Sequence, residues 1–526
     1  MFWPIKRSVR SSKRVKKSRQ QSARRLLVES LESRNLLAGL VDVQIAPMLA
    51  PGELDLIGDG SNNSVEISQT LNPGEYRIDG LDGTLLQING AGVTMPSVTV
   101  NGITGDIDVW LGTGNDTFLF SNKYAAGGQE SNIPLSLNIN NDDGSNENTL
   151  ADVLINVDLT VAKIPATTGY SELHIIDSTI IGYTRVDNTG GGTGGDSWTE
   201  IDNSWLQGNG AIGPALALRN ADGKDINDIL GNSQFGIGPF PQPGPTVVID
   251  NGPGGSRTTF TGASAVAGFG TTTVYGDLLI RNGTNVPGTM DTVTFNGSNV
   301  LGDVVNVNGD GNTSVTVTDS TLGSHLVAPP LSPVIGGPVE ILNDAGYDQF
   351  LMTNSSAPWG IKINNDVTGN EDVWGSATNI FESEIGTNPF CLDIPGFPNA
   401  ALVLLGDNGA DVVNVGATTL GGTLHLNLNA GNNDVNITNG SVMPSLRLRT
   451  LGGNDDVLID DSTIQIAIQV RLGTGADSFL VTNVDPATQW PSALLGLIDI
   501  DGELGVDTTN ISALALGALG FEIFVV

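Results

Sequence analysis

Four segments of the chain can be written one above another: LVLLGDNGADVVNV (402–415), LHLNLNAGNNDVNI (424–437), LRLRTLGGNDDVLI (446–459) and IQVRLGTGADSFLV (468–481). Their aligned glycines, Gly409, Gly431, Gly453 and Gly475, recur with a period of 22 and no gap. The apolar positions keep the same register. Leu402 and Leu404, Leu424 and Leu426, Leu446 and Leu448, Ile468 and Val470 precede the glycines. Val413 and Val415, Val435 and Ile437, Val457 and Ile459, Phe479 and Val481 follow them. Both sets alternate with a period of two, the signature of half-buried strands. Each unit therefore holds two strands joined at a glycine corner. A third short strand fits after Asp461-Ser462-Thr463-Ile464, a phrase that recurs as Asp319-Ser320-Thr321-Leu322 and Asp177-Ser178-Thr179-Ile180.

Two or three strands per repeat, with corners and no helix, describe one coil of a parallel β-helix. The expected fold is all-β, a right-handed parallel β-helix of about 22 residues per coil, because one coil cannot bury its inner face alone and stacked coils share a core. An array of β-sandwiches also shows alternating strands, but it would not hold one register through four copies. Composition agrees: Gly 69, charged residues 15% and aromatic residues 5% favour strands and tight turns over helices. Roughly twenty rungs at about 4.8 Å each would make a rod near 100 Å.

Outside 401–500 the register loosens. Residues 107–120 match it well and 301–317 match it with a one-residue shift, whereas 135–149 and 361–376 read as rungs with longer loops. The expected organisation is a basic targeting segment over 1–40, a strand-rich module or first coils over 41–121, and the β-helix body over 122–526. FGIGPFPQPGPTV (235–247) is expected to be a Pro-rich lateral loop, and the apolar end, Ala513 to Val526, to pair with a partner or with the last rung.

The net charge of -34 hides a split. Residues 1–35 carry eleven Lys or Arg and two Glu, about +9; the rest carries 23 − 11 = 12 basic and 57 − 2 = 55 acidic residues, −43. Such a body repels nucleic acid and anionic membranes and attracts cations. No 18-residue apolar run offers a transmembrane span. The single cysteine, Cys391, makes no internal disulfide and is expected to be a small buried apolar side chain.

After the basic head comes Leu31-Glu32-Ser33-Arg34-Asn35-Leu36-Leu37-Ala38. This resembles the Leu-Glu-Pro-Arg-x-Leu-Leu motif near the N-terminus of large exported planctomycete proteins, with Ser33 in the place of the family's proline. The resemblance is confined to the head of the chain, as far as Leu40. It implies an exported, extracellular or cell-surface location and no particular activity. The competing reading of these residues is a short amphipathic helix with no targeting role.

Two clusters carry candidate chemistry. Asp411, Asp455 and Asp477 sit two residues after the corner glycines, Asn433 holds the same place, and Asp116 is the equivalent in LGTGNDTFLF (111–120). The phrase locally resembles the Gly-Gly-x-Gly-x-Asp nonapeptide of calcium-binding β-rolls, which implies Ca²⁺ at Asp116, Asp411, Asp455 and Asp477. The alternative is that these side chains make the corner by bonding the backbone. The second cluster is Arg447, Arg449 and Arg471, which alternation turns outward; His425 shares the column of Arg447. Stacked guanidinium groups form an anion or glycan site. Polysaccharide lyases built on β-helices are similar in architecture and also use outward basic residues. The alternative is pairing with loop carboxylates.

His174 and His325 stand isolated in sequence, and Trp110, Trp198, Trp205, Trp359, Trp374 and Trp490 are scattered. No zinc-protease or serine-hydrolase motif is present. The expected function is an exported structural or adhesive surface or matrix protein, an acidic solenoid with Ca²⁺ as candidate ion and glycans or matrix proteins as partners. The alternative is a carbohydrate-active β-helix enzyme.

Overall fold

The computed structural model describes residues 39–526 except 46–51, 125–129, 164–168, 190–194, 209–212, 238–244, 263–270, 286–287, 325–336, 366, 368–374, 388–392, 395–396, 483–492, 495–496, 503, 506–507, 512–522 and 526. All of these lie in one unit, Ala38–Val526. The export-like motif, Cys391, His325, Trp374 and Trp490 fall outside the described residues.

Every regular element among the described residues is a strand. The strands of this unit stack in three ladders of mainly parallel strands, an arrangement consistent with a solenoid. The first ladder runs from Leu54–Gly58 through Ile107–Trp110, Leu137–Asn141 and Leu159–Lys163 to Thr423–Ala430, Val442–Gly452, Thr463–Arg471 and Leu497–Asp501. The second runs from Ser64–Gln69 through Thr117–Ser121 and Asn146–Ala151 to Asp456–Asp460, Ser478–Thr482 and Thr508–Ile511. The third is made of short strands such as Val153–Ile155, Thr179–Ile180 and Trp205–Leu206. It supplies the expected strand after Asp177-Ser178, while after Asp319-Ser320 Thr321 makes an isolated bridge and after Asp461-Ser462 the strand Thr463–Arg471 runs on into the first ladder.

The register Leu402↔Leu424, Leu424↔Leu446 and Leu446↔Ile468 reproduces the alignment read from the four repeats. Leu137 and Leu159, and Val339 and Ile361, keep the same spacing, whereas other register partners lie farther apart along the chain, as Ile107 and Leu137 do, and Ile361 and Leu402. The excess leaves as loops between strands, which costs little because closure entropy grows slowly with length. Of the expected Pro-rich loop 235–247, residues 238–244 lie outside the described residues, and its two ends are strand. Phe235 is a core residue of Gln234–Phe235, and Val247 lies buried in Pro245–Asp250.

Inward positions alternate as expected, and Val, Ile, Leu and Phe columns form one continuous core. Phe260 and Phe295, register partners, stack at 5.2 Å. The glycine corner repeats because the corners touch. Gly453 has φ 126°, and a Cβ there would collide with the Gly431 carbonyl; Gly475 stands in the same relation to Gly453.

Near the N-terminus the pairing changes. Leu40–Ile45 runs antiparallel to Leu54–Gly58, and Tyr76–Gly80 runs antiparallel to both Ser64–Gln69 and Ser97–Val100. With Leu85–Ile88, which pairs in parallel with Leu40–Ile45, these strands bury Tyr76, Ile78, Leu86 and Val100 and so cover the open end of the core. At the other end Ile523–Val525 pairs in parallel with Leu497–Asp501, so the apolar tail adds to the last rung. No helix among the described residues is long and apolar enough to cross a membrane.

Candidate functional site: corner ladders and an arginine-lined groove

The corner carboxylates come first. Strand register places Asp116, Asp411, Asn433, Asp455 and Asp477 in one column, all buried. Each side chain reaches back one rung. The Asn63 N–H donates to Asp116 Oδ1 at 2.7 Å, and Ser376 donates to Asp411 Oδ1 from its N–H at 3.0 Å and from Oγ at 2.7 Å. The Asp411 N–H donates to Asn433 Oδ1, Asn433 to Asp455 Oδ1 and Asp455 to Asp477 Oδ1, at 3.0, 2.9 and 2.9 Å. The second oxygens of Asp116, Asp411 and Asp455 are buried and accept no hydrogen bond. Burial pushes both Asp116 and Asp411 up to about 7 against these donors. Each corner is thus tied to the next by a side chain that accepts a backbone N–H.

Two further buried columns run beside it. Asn188, Asn220, Asn251, Asn282, Asn308, Asn343 and Asn365 pass an amide hydrogen bond from rung to rung, Nδ2 to Oδ1, at 2.6 to 3.0 Å. At the opposite corner Ser178, Ser204 and Ser233, then Ser298, Ser320, Ser355 and Ser383, follow one another so that each Oγ accepts the N–H of the preceding member. The residue before most of these serines is left-handed, as Asp177 at φ 48°, Asn203 at 47° and Asp319 at 50°, and so is Asp461, before Ser462, at 45°. Asp and Asn tolerate that conformation better than other side chains, which explains the repeated Asp-Ser-Thr phrase.

The outward arginines lie where alternation puts them. Arg447, Arg449 and Arg471 are exposed, between the buried Leu446, Leu448 and Val470. Register aligns His425 with Arg447 and Gln469, and Asn427 with Arg449 and Arg471. Asp499 and Asp501 continue these columns on the next rung. A cavity of about 500 Å³ opens beside Phe397, Thr423, His425, Ser445, Arg447 and Gln469. A second of about 440 Å³ shares His425, Arg447 and Gln469 and adds Arg449 and Arg471. Phe397 and His425 meet edge to face at 4.8 Å, and Ile466 is 62% exposed on the rim. Burial, then Arg447, holds His425 below its ordinary value, so its ring is neutral at pH 7.

One constellation went unread in the sequence. Glu147, Glu172 and His174 offer ligand atoms within 4.8 Å of one another. His174 Nδ1 lies 2.7 Å from Glu200 and its Nε2 3.7 Å from Glu172, while the Trp198 ring meets the imidazole edge to face at 5.0 Å. Two carboxylates and an imidazole held by a further carboxylate are a donor set able to take a divalent metal. His174 looked isolated because Glu147 and Glu200 stand on the rungs either side of it, a whole coil away along the chain. Trp110 is exposed, and Trp205 donates its indole N–H to the Gly236 carbonyl at 3.2 Å.

No protein family, curated protein or solved structure matches this chain.

Proposed function

We infer that this is an exported structural or adhesive protein of a cell surface or matrix. Its body is a right-handed parallel β-helix whose shortest coil takes about 22 residues. Right-handed crossover is the rule for parallel strands joined through a connecting segment. The observation that carries the structural reading is the set of buried hydrogen-bonded columns, which tie each rung to the next independently of the apolar core. Sixteen successive pairings in the first ladder, at about 4.8 Å each, give that unit a length of roughly 75 Å. Such a body suits reach and a repeated face better than conformational change. The export part rests on the basic head and the Leu31–Leu37 motif. The corner columns favour a structural role for Asp411 and Asp455 over Ca²⁺ ligation, since each commits one oxygen to a backbone N–H.

The test is surface labelling of intact cells that make the full chain. A membrane-impermeant amine reagent is expected to label the protein before lysis, and replacing Arg34, Leu36 and Leu37 with alanine to abolish that labelling. Labelling only after lysis would overturn the reading. The arginine-lined groove favours a second reading, a carbohydrate-active enzyme; shortening of an acidic polysaccharide by the purified chain would establish it.

A further inference from the structure

We propose that the groove bounded by Phe397, His425, Arg447, Arg449, Gln469 and Arg471 binds an acidic polysaccharide lying along the stacking direction of the rungs. Six of the basic residues in the acidic body are ion-paired: Arg77 with Asp79, Lys123 with Glu66, Arg185 with Asp187, Arg257 with Asp228, Arg281 with Asp250 and Lys362 with Glu340. Arg447, Arg449 and Arg471 have no ion pair among the described residues, although they stand on the same kind of outward strand position. Asp499 lines the same groove and Asp501 is the register partner of Arg471. The local positive field is therefore centred on Arg447 and Arg449, whose register partners include no carboxylate, and an anion neutralises it there.

The neutral side chains narrow the ligand class. Thr423, Asn427, Ser445 and Gln469 are interleaved with the arginines on the groove floor. They offer both donors and acceptors, which match sugar hydroxyls. Phe397 adds an apolar ring wall, with neutral His425 against it. A sugar ring presents an apolar C–H face to such a wall and its acid group to an arginine. A nucleic acid carries about one charge per 1.7 Å of duplex. It would need a longer basic track, whereas Asp499 and Asp501 close this one after a single further rung. The strand floor repeats about every 4.8 Å, so successive acidic sugars can meet successive rungs.

This inference rests on the preceding reading only for where such a polymer is met. Surface labelling tests export, and binding tests the groove, so the two can fail separately. The experiment is calorimetric titration of the full chain with a short oligogalacturonate, a neutral oligoglucan of equal length and single-stranded oligo-dT. The acidic sugar alone is expected to bind, more weakly as salt rises. The double variant Arg447→Ala/Arg449→Ala is expected to weaken it by at least about tenfold, as loss of charge-assisted bonds requires. Phe397→Ala should weaken it without changing the salt dependence, and Arg257→Ala, in a paired position elsewhere, should leave it unchanged. All three replaced arginines are exposed, so unchanged circular dichroism is the accompanying control. No binding of the acidic sugar, equal binding of the neutral one or of oligo-dT, or full affinity in the double variant would each overturn the proposal.

Discussion

Among the described residues, Asn306 is the one position where the first ladder places an amide in the middle of the apolar core. Its register partners are Ile280 and Ile341, 0% and 2% exposed, and Asn306 itself is 2% exposed. Neither its Oδ1 nor its Nδ2 has a hydrogen-bond partner. A buried amide without a partner costs roughly 1–3 kcal/mol in proteins. Asn306→Val removes that cost and adds a buried apolar side chain, offset by some overpacking because valine is slightly larger. The net expectation is a gain of about 2 kcal/mol. Urea unfolding of the full chain, followed by circular dichroism, measures it. The slope for a body of this size exceeds the roughly 3 kcal/mol/M of small proteins, so the midpoint should rise by up to about 0.7 M at unchanged slope. The converse change one rung away, Ile280→Asn, should lower the midpoint. A lower midpoint for Asn306→Val would refute the reasoning: the amide would then have a partner, such as a trapped water, whose bonds valine forfeits.

The buried amide column should show the opposite sign. Asn282 accepts from Asn251 and Ser256 and donates to Asn308, so Asn282→Ala is expected to cost about 2–4 kcal/mol in the same unfolding assay. The corner carboxylates set a pH dependence. Burial pushes Asp225 and Asp411 up to about 7 from the ordinary 3.8, so the folded chain holds protons that the unfolded chain has lost between these values. Their contribution is full below about pH 4 and is lost as pH rises through 7, up to roughly 4 kcal/mol for Asp411. Melting temperature should therefore rise from pH 8 to pH 5, and less so in Asp411→Asn. Melting with millimolar Ca²⁺, against Mg²⁺, is expected to give no calcium-specific rise that Asp455→Asn removes; such a rise would make the corner a metal site.

Legibility followed period. The four gapless copies settled strand positions, corner and facing, and so placed Arg447, Arg449 and Arg471 outward and the aspartates in one column. The asparagine column was equally present, as an apolar-x-Asn phrase at 186–188, 218–220, 249–251, 280–282, 341–343 and 363–365, with Asn306 in the apolar place at 306–308. Its intervals are unequal because loops of different length leave between strands, and a search at one period passes over it. The groove was hidden for a related reason. Phe397 belongs to an excursion between Ile361 and Leu402, and only the fold brings it to His425. The Glu147–Glu172–His174 group likewise exists only across rungs.

The column that contains the corner aspartates also shows why an acidic chain can stack without a cation at each step. In register order it reads Ser197, Asp225, Ser256, Asp291, Thr313, Asp348, Ser376, Asp411, Asn433, Asp455, Asp477. Until the last step a donor side chain separates the carboxylates, so acids lie two rungs, about 9.6 Å, apart. Serine or threonine then donates to the acid one rung on, as Ser197 does to Asp225 at 2.7 Å and Thr313 to Asp348 at 2.7 Å. Folding is thus specified by inward residues and by corner residues, and the outward positions are left free. On those free positions arginine or lysine recurs with a carboxylate on its own strand or the neighbouring rung, as at Arg281 with Asp250 and Lys362 with Glu340. Arg447 and Arg449, whose register partners are His425, Gln469, Asn427 and Arg471 and include no carboxylate, stand beside an aromatic wall and answer to no requirement of the coil. Their explanation lies in what the surface meets.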